Sequence, residues 1–101
     1  MISLGIFRHS ETQVFQAGQV IFQEGELGQV MYVISDGTVE IFVDSILVET
    51  ASAGTVVGEM ALIDHGPRSA SAKAKTDCKL VPVDQKRFEF LVSHTPFLRS
   101  R

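Results

Sequence analysis

Gly37-Thr38-Val39-Glu40-Ile41-Phe42-Val43-Asp44-Ser45-Ile46-Leu47-Val48 reads as two β-strands joined by a tight turn. From Thr38 to Val43 the side chains alternate, with Val39, Ile41 and Val43 on one face and Thr38, Glu40 and Phe42 on the other. A period of two is the mark of a half-buried strand, and Phe42 makes the second face only partly polar. Asp44-Ser45 separates this run from the apolar Ile46-Leu47-Val48, the spacing of a β-hairpin.

Outward from the hairpin, glycines set the punctuation. Gly18, Gly25, Gly28, Gly37, Gly54, Gly58 and Gly66 divide short β-prone runs at intervals typical of turns between strands. After Arg68 the alternation returns: Ala70, Ala72 and Ala74 share one face, and Ser69, Ser71, Lys73 and Lys75 the other. A strand whose inward side chains are all alanine lets something bulky lie close to it. Near the C-terminus the period changes. Asp84 is placed to cap a helix over about residues 85 to 93, in which Phe88, Leu91 and Val92 fall at i, i+3 and i+4, and Pro96 ends or redirects it. These elements predict a mainly β chain, an antiparallel β-roll with jelly-roll character and short flanking helices.

Composition narrows the function. The 101 residues form one expected domain, residues 1–101, with no repeat or linker, and 45% hydrophobic with 21% charged residues is ordinary for a globular domain. No apolar run approaches the roughly 20 residues that span a bilayer, and Arg8, His9 and Glu11 interrupt the N-terminus too early for a signal peptide. A cytoplasmic location without membrane contact is the expectation. The net charge of −3, without a dense basic cluster, argues against nucleic-acid binding. Cys78 stands alone, so it reads as a buried, reduced thiol. His9, His65 and His94 lack metal-ligand spacing, and Ser69 and Ser71 lack a Gly-x-Ser-x-Gly elbow, so neither a metal centre nor a catalytic residue is expected.

The chemistry concentrates between Gly58 and Ala72. Glu59-Met60-Ala61-Leu62-Ile63 follows Gly58 and reads as about one helical turn, whose leading N–H groups suit an anion. Arg68 lies nine positions after Glu59, beyond the His65-Gly66-Pro67 bend, where its planar fork can return to bind phosphate oxygens bidentately. Glu59 would repel a phosphate, so it suits neutral hydroxyls, as on a sugar. A structural Glu59–Arg68 ion pair is the plainer alternative.

Gly58-Glu59-Met60-Ala61-Leu62, a short spacer, then Pro67-Arg68-Ser69-Ala70 resembles the phosphate-binding cassette of the cyclic nucleotide-binding domain family. Phe15 to Gly28, Met31-Tyr32-Val33-Ile34, Gly37 to Ile41, Thr76 to Leu80 and the Phe88 helix extend the likeness over nearly the whole chain. The resemblance implies a non-enzymatic regulatory module with no cofactor beyond its ligand, a cyclic nucleotide. Cyclic AMP is favoured over cyclic GMP by Ser69, which is similar to the residue after the arginine in bacterial regulators. It implies Glu59 on the ribose 2′-hydroxyl and Arg68 on the exocyclic phosphate oxygens. Gly58, Met60, Ala61, Ser69 and Ala70 would line sugar and phosphate, and Ile41 and Val48 would face the purine. An effector domain or protein partner would receive the signal. Two departures stand out: Val57 replaces an aromatic common before the Gly-Glu pair, and the chain stops at Arg101 where the family continues into a long helix over the base, so that lid is expected to be truncated or absent. The alternative is a degenerate domain that keeps the fold and serves as a docking or assembly unit without ligand.

Overall fold

The computed structural model describes residues 12–94. Its strands are β1 (Gln13–Phe15), β2 (Val20–Phe22), β3 (Val30–Asp36), β4 (Thr38–Val43), β5 (Ile46–Ser52), β6 (Val56–Val57), β7 (Ser71–Ala74) and β8 (Cys78–Asp84). Two helices accompany them, α1 (Met60–Ile63) and α2 (Gln85–His94). The readings at His9 and Pro96, and the end of the chain, lie outside the described residues.

The strands form two four-stranded sheets, ordered β1-β8-β3-β6 and β2-β7-β4-β5, with every pairing antiparallel. Apart from the β4–β5 hairpin, each successive strand joins the opposite sheet. That alternation makes the expected mainly β roll. The hairpin turn is two residues long, with Asp44 at φ 51° and Ser45 at φ 67°. Positive φ at both central positions gives the turn the twist its flanking strands need.

Side-chain parity explains which faces are covered. Tyr32 and Ile34 of β3 and Cys78 and Leu80 of β8 join the core between the sheets, with Phe15, Phe22, Val39, Val57, Ala72 and Ala74. The residues of opposite parity, Met31, Val33, Val81 and Val83, form a second cluster on the outer face with Leu62 of α1 and Leu91 and Phe88 of α2. The first sheet is thus buried on both faces, which accounts for the nearly unbroken apolar run Leu80-Val81-Pro82-Val83. In β7 the alanine face turns inward as read, although the strand begins at Ser71 and not at Ser69.

Helix α2 starts where Asp84 was read as a cap: the Arg87 amide donates to Asp84 Oδ1 at 2.9 Å. Its buried residue is Leu91, with Phe88 packed beside the same cluster. Cys78 is buried, and its thiol lies 3.2 Å from the Thr38 carbonyl. Loss of one side-chain cap typically removes about 1 kcal/mol, so Asp84→Ala is expected to lower the urea midpoint of unfolding by that free energy without changing the slope.

Candidate functional site

Arg68 is the one charged or polar side chain among the buried described residues, with 7% of its surface exposed. Its position is set first by backbone. The Arg68 amide donates to the Glu26 carbonyl and the Arg68 carbonyl accepts from Gly25, both at 2.8 Å. One step along, the Glu24 amide donates to Ser71 Oγ at 2.8 Å. The β2–β3 connection therefore runs alongside residues 68–71 and aims the guanidinium inward.

Two carbonyls and an aromatic ring hold the guanidinium. Nη2 donates to the Val30 carbonyl at 2.8 Å and Nη1 to the Gly58 carbonyl at 3.2 Å. The Arg68 Cζ lies 4.2 Å from the centroid of the Phe22 ring, a cation–π contact. Phe22 in turn stacks on Tyr32, with centroids 6.4 Å apart and rings 14° from parallel. The side chain can pass only because two neighbours lack a Cβ. A Cβ on Gly28 would meet Arg68 Nε at 2.3 Å, and one on Gly58 would meet Nη1 at 2.7 Å. Burial lowers the Arg68 pKa from its usual value, opposed by the nearby Tyr32 and Glu26. The group remains a cation, since an arginine is not deprotonated in proteins.

A buried cation without a bonded carboxylate is costly unless an anion completes it. No described carboxylate makes an ion pair or hydrogen bond with Arg68, so the Glu59–Arg68 ion pair is not formed. The guanidinium has five N–H donors. The carbonyls engage two of them, and the guanidinium lines the open space before it.

That space is a cavity of about 540 Å³, within the range of small-molecule sites. One wall is the segment Gly54 to Ala61, which includes β6 and the start of α1. The other is formed by Arg68, Ser69 and Ala70 with Phe22, Ile41 and Glu49. Glu59 is the N-cap of α1 and its carbonyl takes the first bonds from Leu62 and Ile63, so the Met60 and Ala61 amides precede the hydrogen-bonded ladder. Gly58, Glu59, Met60, Ala61, Arg68, Ser69, Ala70 and Ile41, the residues singled out in the sequence, all line this one cavity.

Val48 does not. It is 57% exposed and outside the cavity lining, and its neighbour Glu49 takes the place expected for it. The cause is a bulge. Ile41 pairs with Glu49 and Phe42 with Leu47, so Val48 is the extra residue without a partner, and Glu49 shares the inward face of Ile41. Phe22, Gly28 and the Val30 carbonyl complete the surroundings of Arg68 and carry no site motif in the sequence. In the sequence Gly28 marks only a turn; the close approach of Arg68 to it comes from the tertiary structure.

Comparison with known proteins places these features in a wider group. The family model for the cyclic nucleotide-binding domain matches residues 12–95. A cAMP-dependent protein kinase regulatory subunit of Eremothecium gossypii is 37% identical over 78 residues, covering 77% of this chain and 17% of that protein. Among solved structures, the catabolite activator protein of Thermus thermophilus superposes with a TM-score of 0.81 at 28% identity, covering 94% of this chain and 47% of that one. The EAL enzyme Bd1971 in its cAMP-bound form gives a TM-score of 0.76 at 36% identity, covering 82% of this chain and 24% of that one, and its cGMP-bound form is equally similar. The chain spans between 8% and 21% of the length of the curated relatives compared with it.

Gly58 and Gly18 both have positive φ, at 81° and 90°, but only Gly58 is crowded by side chains. A strained φ and an overpacked contact each remove on the order of 1–3 kcal/mol. Gly58→Ala is therefore expected to destabilise the protein more than Gly18→Ala in chemical denaturation, with the difference reporting the packing around the guanidinium.

Proposed function

The chain belongs to the cyclic nucleotide-binding domain family, and from that premise we propose that it binds a cyclic nucleotide, cyclic AMP by preference, as a regulatory sensor without chemical turnover. The observation that carries this reading is the buried Arg68 guanidinium, held by the Val30 and Gly58 carbonyls and lining the cavity. A cyclic phosphate bears one negative charge and two exocyclic oxygens, which match a fork of N–H groups. Arg68 takes those oxygens. The Met60 and Ala61 amides and the small residues Gly58, Ser69 and Ala70 let the phosphate and sugar approach the wall. Glu59 accepts a hydrogen bond from the ribose 2′-hydroxyl, and Ile41 packs against the purine.

The relatives' names support the ligand class. Structures of similar domains were solved with cAMP and with cGMP, and similar sequences occur in cAMP-dependent and cGMP-dependent protein kinases. The preference for cyclic AMP rests on Ser69 and on the relatives in cAMP-dependent kinases. Nucleotide binding alone does no work, so a larger protein or partner receives the bound state, with the effector domain as its simplest form. The cytoplasm, where such kinases and nucleotides meet, is the proposed location. Among the described residues no helix is long and apolar enough to cross a membrane.

A ligand that binds only the native state raises apparent stability, by about 2.7 kcal/mol at a hundredfold excess over Kd. Thermal unfolding with saturating cyclic AMP is expected to show a clear upward shift in Tm, with a smaller one at equal cyclic GMP. Absence of any shift with either nucleotide at millimolar concentration would favour the ligand-free docking unit. Each charge-assisted hydrogen bond contributes roughly 1.5–3 kcal/mol, so Arg68→Ala should weaken binding by at least about a hundredfold and Glu59→Ala by about tenfold to a hundredfold in calorimetry. Arg68→Ala is also expected to lower stability without ligand, because the Val30 and Gly58 carbonyls lose their donor.

A further inference from the structure

The aromatic ring beside Arg68 is fixed by three neighbours. Phe22 ends β2, where it is opposite Ala72 of β7, a buried residue of the alanine face. The small side chain there lets so large a ring lie close to the sheet. Tyr32 stacks on the ring, 14° from parallel. The backbone of Gly58 lies against its edge: a Cβ at that position would meet Phe22 Cε2 at 3.1 Å and Cζ at 3.3 Å. A ring enclosed in this way keeps its plane. The Arg68 Cζ, 4.2 Å from the ring centroid, therefore takes its place from the ring and not the reverse.

We infer that Phe22 is a positioning residue for the nucleotide: the face of its ring holds the Arg68 guanidinium in place while leaving the positive charge unneutralised. This rests on the proposed nucleotide site. A carboxylate in the same position would hold the arginine as an ion pair, and an incoming phosphate would have to displace it. A ring attracts a cation through its quadrupole and carries no net charge. It orients the group and presents nothing for an anion to displace. The Val30 and Gly58 carbonyls each accept one N–H, whereas the ring bears on the guanidinium face. The cavity opens before the group, so the competing place for it is solvent. Weakening the pull of the ring enlarges the fraction of free protein in which the guanidinium is turned out. The apparent Kd then rises as the inverse of the fraction held in place.

The electron density of the ring can be changed while its shape is kept. Phe22 is one of seven phenylalanines, so mono-, di- and trifluorinated phenylalanine are placed at position 22 alone by suppression of a stop codon. Each fluorine weakens the negative face that attracts a cation. Affinity for cyclic AMP, measured by calorimetry, is expected to fall stepwise along the series, reaching about tenfold with the trifluorinated ring, the scale of a desolvated cation–π contact. Without ligand, the melting temperature should fall in the same order. It should stay level when the series is repeated with Arg68→Gln, which keeps an N–H donor and drops the charge, the two series forming a double-mutant cycle. The Arg68 Nε–H signal in NMR gives the same readout without a second substitution, its exchange with water quickening as the ring is fluorinated. Affinity that is flat across the series, or that rises with fluorination, overturns the role of Phe22 and leaves the site intact. Affinity that falls while the ligand-free melting temperature and the Nε–H exchange stay constant assigns the ring to direct contact with the nucleotide, and equally overturns it. If the unfluorinated protein binds no cyclic nucleotide, the nucleotide site itself falls and this assignment with it.

Discussion

A guanidinium held inside the roll is the constraint around which the rest is arranged. Arg68 carries a full charge at a buried position and receives only two carbonyls, an aromatic face and the field of Tyr32 and Glu26 in return. Accommodating it explains features that otherwise look unrelated. Gly28 and Gly58 leave no Cβ in its path, Phe22 lies flat beneath it, and Tyr32 backs Phe22. The β2–β3 connection is bonded to the Arg68 backbone on both sides. The charge is thereby preorganised: its rotamer is chosen before any anion arrives, so little entropy remains to be lost on binding.

The same preorganisation makes the cavity a continuation of the core. Helix α1 is only four residues long, too short to persist alone, and it holds its place by packing. Met60 and Ala61 line the cavity, while Leu62 turns into the outer cluster shared with Val81, Val83 and Leu91. Helix α2 contributes Leu91 and Phe88 to that cluster. One short helix therefore touches both the cavity and the apolar surface on which α2 sits. Sheet and helices are joined through side chains of alternating parity in β3 and β8, which is why both strands are apolar on successive residues.

Much of this was legible from residue types, for local reasons. The β4–β5 hairpin, the inward alanines of β7 and the Asp84 cap each depend on periodicity or on a bond three residues long. Their periods do not require distant partners to be known. The cluster of site residues from Gly58 to Ala70 was legible because it is contiguous and its chemistry is unusual for a plain turn. Phe22, the Val30 carbonyl and Glu49 come from separate strands, and nothing local marks them.

Val48 and Glu49 show where residue-by-residue reading ends. The amino-acid order was sufficient for a strand at this place, for the mainly β roll and for the identity of the arginine at its centre, because hydrophobic alternation and turn chemistry act over a few residues. Which of two adjacent side chains faces the cavity came from pairing. A single unpaired residue in β5 shifts parity against β4, and that bulge arises from the register of two strands in a twisted sheet, with no mark in the alternation of either strand alone. The burial of Arg68 has the same origin, since its partners are backbone carbonyls and an aromatic ring brought together only when the two sheets close.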